Sequence, residues 1–207
     1  MSNKDKRMNS LENIKANLKT GEELLSYNDN SLPFSLLDFW RWSVSDILSN
    51  ATRGRLAEFI VATAANIDIK QIRDEWGAFD LETPSGIKIE VKSAAYLQSW
   101  EQKKLSNISF SIKTSAPWNW EIDKRSNIAI RSADVYVFCL LHHSDKITVN
   151  PLDMNQWEFF VLSTEEINNY TRSQHSITIN SLRKLTNAVN YSKLEPEVES
   201  KNKFNKF

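Results

Sequence analysis

Six consecutive residues, Ile87-Lys88-Ile89-Glu90-Val91-Lys92, alternate β-branched apolar side chains with charged ones. Side chains two apart on an extended strand share a face, so Lys88, Glu90 and Lys92 point one way. A turn signal, Pro84-Ser85-Gly86, precedes the run, and Asp80 lies on its far side. The spacing of Asp80 and Glu90 suits two antiparallel strands joined by a hairpin, with the two carboxylates a few ångströms apart. Two anions so close repel unless a hard cation such as Mg²⁺ sits between them, and Lys92 would stand beside it. Phosphodiester cleavage needs these parts. Carboxylates hold a metal that activates water and neutralises the phosphate, while an amine positions the nucleophile or stabilises the developing charge.

The surrounding pattern predicts elements able to position these groups. Leu36, Leu37, Trp40, Val44, Ile47 and Leu48 recur at three- and four-residue spacing, which predicts an amphipathic helix. A second helix is expected from Thr52 or Arg53 through Leu56, Phe59, Ile60 and Ala64. Beyond the short run Ala78 to Leu81 and the strand at 87–92, strands are expected at Ile108 to Ile112, Val135 to Leu141, Glu158 to Leu162 and Ile177 to Ile179. Ala94 to Lys104 reads as helical in part, 115–127 as irregular, and Thr164 to Tyr170 as a short helix with Glu165 and Glu166 in its first turn. Residues 1–30 read as a polar arm with a surface helix around Leu11 to Leu25, 31–190 as one domain, and 191–207 as a flexible tail. The fold class expected is α/β, a mixed central sheet flanked by helices with an N-terminal helical extension.

With Glu58 on a helix, Asp80 at a strand and Glu90-Val91-Lys92 on the next strand, the segment Arg53 to Leu141 resembles the PD-(D/E)XK nuclease superfamily, the restriction-endonuclease-like fold. The resemblance implies Asp80 and Glu90 as metal ligands, the Val91 carbonyl as a further ligand, Lys92 as the catalytic lysine and Glu58 as the helix carboxylate that some members add. It also makes Gln98 a candidate for ordering water or phosphate near the metal. Phe79 stands where the motif's proline would be. The implied activity is Mg²⁺-dependent hydrolysis of DNA, with Mn²⁺ as a substitute cofactor, in restriction or defence against foreign DNA; repair is the rival role.

Each residue also has a structural reading. Glu-x-Lys on a strand is commonly a solvated face, and Glu58 with Arg55 at helical spacing makes a surface ion pair. Gln98 and Gln102 share a helical face if that segment is helical. Trp118 and Trp120, close to Lys113, Lys124 and Arg125, suit base stacking and phosphate contact, although tryptophans also serve packing. Arg53 and Arg55 at the start of the second helix could bind phosphate or cap and solvate the helix. His142-His143 lacks partners at zinc-ligand spacing.

Composition narrows the alternatives. The 207 residues carry 26 Lys plus Arg against 26 Asp plus Glu, so no uniform basic coat attracts nucleic acid. DNA is the expected partner, with a homodimer or a partner subunit admitted. Four glycines and no Gly-rich phosphate motif argue against a nucleotide cofactor. No run approaches the length of a membrane span. The lone Cys139, inside an apolar strand, fits a reducing cytoplasm. A nuclease-fold binding or structural subunit without its own cleavage is the alternative class.

Overall fold

Val135–Leu141 carries no charged side chain, and a strand apolar on both sides must be covered on both faces. The computed structural model, which describes residues 14, 16–116, 118–119, 124–125 and 127–202, sets this strand inside a four-stranded sheet. In chain order the elements are β1 (Leu24–Tyr27), β2 (Asn30–Ser35), α1 (Leu36–Val44), α2 (Asn50–Ala64), β3 (Leu81–Glu82), β4 (Lys88–Ala95), β5 (Ser109–Ser111), β6 (Trp118–Asn119), β7 (Lys124–Arg125), β8 (Val135–Leu141), β9 (Trp157–Ser163), α3 (Thr164–Asn168), β10 (Ser176–Thr178), α4 (Ile179–Leu185) and α5 (Leu194–Asn202). The sheet order is β3-β4-β8-β9. β4 and β8 run parallel, while β3 and β9 are antiparallel to their neighbours. This is the mixed sheet flanked by helices that the sequence predicts.

Alternation along the strands divides the core. Val135, Val137, Cys139 and Leu141 join Ile89 and Val91 of β4 and Phe159 and Val161 of β9 under α2 and α5. Tyr136, Phe138 and Leu140 join Phe160 and Leu162 against Ile108, Phe110, Ile112, α3 and α4. Phe138, Phe159 and Phe160 are fully buried, each contributing about 1.5–3 kcal/mol of burial. α3 begins at a capping box in which the Ser163 hydroxyl accepts the Glu166 N–H and the Glu166 carboxylate accepts the Ser163 N–H.

Four segments depart from the sequence reading, one of them 115–127, expected to be irregular, in which β6 pairs antiparallel with β7. Over residues 16–27 the expected surface helix is absent, and β1 pairs with β2 through Asn28 and Asp29, both at positive φ. Such a two-residue turn matches hairpin twist. The helix expected within Ala94 to Lys104 is also absent. Ser93, Ala94 and Ala95 continue β4 beside Cys139, Leu140 and Leu141 of β8, so sheet pairing overrides the local helix preference of the alanines. The tail ascribed to 191–207 contains α5, whose Leu194 and Val198 are buried in the core. Its Glu199 accepts the Ser85 hydroxyl at 2.6 Å, and Lys201 pairs with Glu166 at 2.6 Å. α5 therefore braces the β3–β4 turn from outside the expected domain boundary.

Candidate active site

The β3–β4 hairpin is closed by Thr83-Pro84-Ser85-Gly86, with the Gly86 N–H donating to the Thr83 carbonyl at 2.9 Å and Gly86 at φ +83°. Leu81 pairs with Ile89 and Glu82 with Lys88. Asp80 lies just outside these paired residues and is bonded to the two residues that flank Glu90. The Asp80 N–H donates to the Ile89 carbonyl at 3.1 Å, and the Asp80 carboxylate accepts the Val91 N–H at 2.7 Å. Asp80 thus stays on β4 where β3 has ended. Glu90 and Lys92 leave the same face of β4 and form a partly buried ion pair, Nζ to Oε1.

Charge and burial act together on Asp80. Burial, and after it the Glu90 charge, push its carboxyl above the ordinary range, against the Val91 amide, Lys92 and Arg73, which draw it down. Glu90 also bears on Tyr136, its neighbour across the β4–β8 pair. Burial and then the Glu90 charge push the Tyr136 phenol up to about 12.

Glu58 approaches from elsewhere. It lies on α2, which covers the opposite face of β4 through Ala57, Ile60 and Val61. Its side chain is 13% exposed and pairs with Arg73 by two contacts, Nε to Oε2 and Nη2 to Oε1 at 3.1 Å. Arg73 also holds Glu75. Arg55 pairs with Glu75 at 3.9 Å rather than with Glu58. Glu58, Arg73 and Asp80 line one cleft of about 400 Å³, which Arg55, Phe59 and Ile72 also border.

Other expected residues fall into different roles. Arg53 is 2% exposed and bonds the Leu48 carbonyl at 2.8 Å, the Asn50 side chain at 2.8 Å and Gln98 Oε1 at 3.2 Å. It faces the interior, out of reach of a backbone phosphate, because it knots the α2 entry to the turn after β4. Gln98 is committed to the same knot, donating to the Ala95 carbonyl and to Ser106. Gln102 accepts the Gln98 N–H at 2.7 Å, so these amides brace the 96–106 loop and share no helical face. Lys113 is exposed. In the β6–β7 pair, Trp118 lies opposite Arg125 and Asn119 opposite Lys124, while Trp120 lies outside the described residues. His142 meets the Asn155 carbonyl and His143 the Thr148 hydroxyl. Cys139 is fully buried, its thiol pushed up by burial.

Among the described residues no group of three His, Cys, Asp or Glu side chains is gathered to hold a metal. The donors that do fit a small hard cation are Asp80 and Glu90. They are oxygen ligands, partly withdrawn from water, whose repulsion a cation would relieve, and Mg²⁺ accepts one or two protein carboxylates while keeping waters. Arg73, a loop residue fifteen positions from Glu58, and Tyr136, inside an apolar strand, carry no pattern that marks them from sequence.

No helix among the described residues is long and apolar enough to cross a membrane. No curated protein matches the chain at a significant level. A family model described as Bacteriophage T4 endonuclease IV matches residues 6–181, a span that includes Glu58, Arg73, Asp80, Glu90 and Lys92 and stops short of α5. With most of its length matched, the chain belongs to the bacteriophage T4 endonuclease IV family.

Proposed function

We propose that the protein is a Mg²⁺-dependent DNA endonuclease of the PD-(D/E)XK type, acting at the β3–β4 edge. One observation carries this reading: in a chain of an endonuclease family, Asp80 is bonded to the Ile89 carbonyl and the Val91 N–H, the residues flanking Glu90, and Lys92 follows Glu90 on the same face. Asp80 and Glu90 are the residues that would hold Mg²⁺. The Val91 N–H is turned to the Asp80 edge, and in an extended strand the carbonyl of a residue leaves on the same edge as its N–H, which supports Val91 as a third oxygen donor. When bound, the ion supplies positive charge for the scissile phosphate and favours the deprotonated form of water.

The chain's own groups do the rest. Lys92, held by Glu90, offers N–H donors to a phosphate oxygen where negative charge grows, the kind of preorganised contact whose loss costs roughly 10²–10³ in rate. Asp80, tied to the Val91 amide, is fixed before substrate arrives. Lys113, Lys124, Arg125 and Trp118 are the proposed DNA contacts, and restriction or defence against foreign DNA is the role that accompanies this chemistry. The alternative, a binding or structural subunit, draws support from the ion pair that occupies Glu58 and from the lack of a three-carboxylate group among the described residues. Incubation with circular DNA and Mg²⁺ or Mn²⁺, with and without chelator, separates the two. Cleavage confined to the metal-containing reactions is expected; intact DNA with either metal would select the subunit.

A further inference from the structure

Glu58 is ion-paired before any metal could claim it. Its two oxygens meet Nε and Nη2 of Arg73, a paired geometry that a guanidinium matches and an ammonium does not. The Glu58 hydrogen bond above all, and then the charges of Glu58, Glu75 and Asp80, hold the Arg73 guanidinium protonated against its burial, so Asp80 lies within its electrostatic reach. Glu58, Glu75 and Asp80 thus all act on Arg73, which with Glu58 and Asp80 lines the cleft between α2 and β3.

We propose that Arg73 is a positioning residue that couples DNA binding to metal binding, holding Glu58 away from the metal until a backbone phosphate draws the guanidinium off. The inference rests on the nuclease reading of Asp80 and Glu90. Without DNA, the site offers two carboxylates, and Glu58 is neutralised by Arg73. A phosphate entering beside Asp80 is a second anion of suitable geometry for the same guanidinium. Once Arg73 turns to it, Glu58, a side chain only 13% exposed beside Arg73, loses its partner, which is costly for a carboxylate unless a cation replaces it. Linkage makes the effect reciprocal, so DNA tightens the metal and the metal tightens DNA.

The test is Mn²⁺ titration by calorimetry at about pH 8, where free carboxylates are ionised, with and without a hydrolysis-resistant phosphorothioate oligonucleotide. In the parent, the oligonucleotide is expected to tighten Mn²⁺ within the roughly 5–150-fold range common for coupled sites. Arg73→Gln should bind Mn²⁺ without DNA nearly as tightly as the DNA-bound parent, and the coupling should vanish. Adding Glu58→Gln should cancel that gain. Arg73→Lys, which keeps the charge but loses the fork, should fall between and serves if Arg73→Gln does not fold. A parent that binds Mn²⁺ while the Arg73 variants bind it equally or more weakly overturns this inference alone, as does a gain that survives Glu58→Gln. If no variant binds Mn²⁺ even with the oligonucleotide, the metal reading and this inference fall together.

Discussion

Thirteen of the fourteen residues of β8 and β9 are buried, their side chains interdigitating with helices on both faces. At the β3–β4 hairpin, on the other side of β8, the same sheet ends in Asp80, Glu90 and Lys92, partly buried and mutually charged. The centre is built from contacts that each lower the free energy of folding. The edge contains one that raises it, because a carboxyl whose folded pKa lies above its unfolded value is less stable ionised in the fold than out of it. A sheet strong at its centre can tolerate such an edge. The difference teaches where to look for function, in charge kept together at a cost to the fold.

Breaking the centre should have the largest effect. Phe160→Ala removes a fully buried ring that packs with Leu140, Leu162 and Leu182 and should cost about 3–5 kcal/mol, read by chemical denaturation, with activity lost along with the fold. Breaking the edge should do the reverse. Lys92→Ala is expected to lower cleavage by roughly 10²–10³ while shifting the melting temperature little, since its ion pair is only partly buried. A rate unchanged in Lys92→Ala would return Glu90 and Lys92 to the status of a solvated face.

Two smaller effects sharpen the boundary between scaffold and periphery. Val198→Ala, on α5, should destabilise by about 1–2 kcal/mol, because Val198 is buried with Leu194 against the sheet. Removal of residues 1–19 should leave the melting temperature nearly unchanged, since Ile14 and Leu18 are exposed. A marked drop would show that this segment packs on the domain.

The hairpin was legible because two local signals agreed, strict alternation over 87–92 and a Pro-Ser-Gly turn at the right distance from Asp80. β8 was legible as a continuous apolar run. What escaped depends on partners distant in sequence. Ala94 and Ala95 favour a helix locally and become strand because β8 extends beside them. α5 has only Leu194 and Val198 to bury and carries Pro196 among glutamates in its first turn, so its periodicity is too sparse to read. Arg53 and Gln98 each look like surface groups until the α2 entry meets the turn after β4. The grip of Arg73 on Glu58 spans a loop with no repeating pattern.

The most direct test of the edge as a metal-holding site is the thermal melt of the parent and of Asp80→Asn, each with Mg²⁺ and with chelator. The folded pKa of Asp80 is raised, so its ionisation penalty is absent below the unfolded value of about 3.9 and complete once the pH exceeds the folded one. The amide keeps an oxygen for the Val91 N–H and removes the charge. In chelator at neutral pH, Asp80→Asn should melt at or above the parent, an advantage that shrinks as the pH falls toward 4. Mg²⁺ should raise the parent, by about 2.7 kcal/mol at one hundred times its dissociation constant, and leave the variant where it was. A variant that melts below the parent in chelator, with no Mg²⁺ shift in either protein, would make Asp80 part of the scaffold and contradict the site.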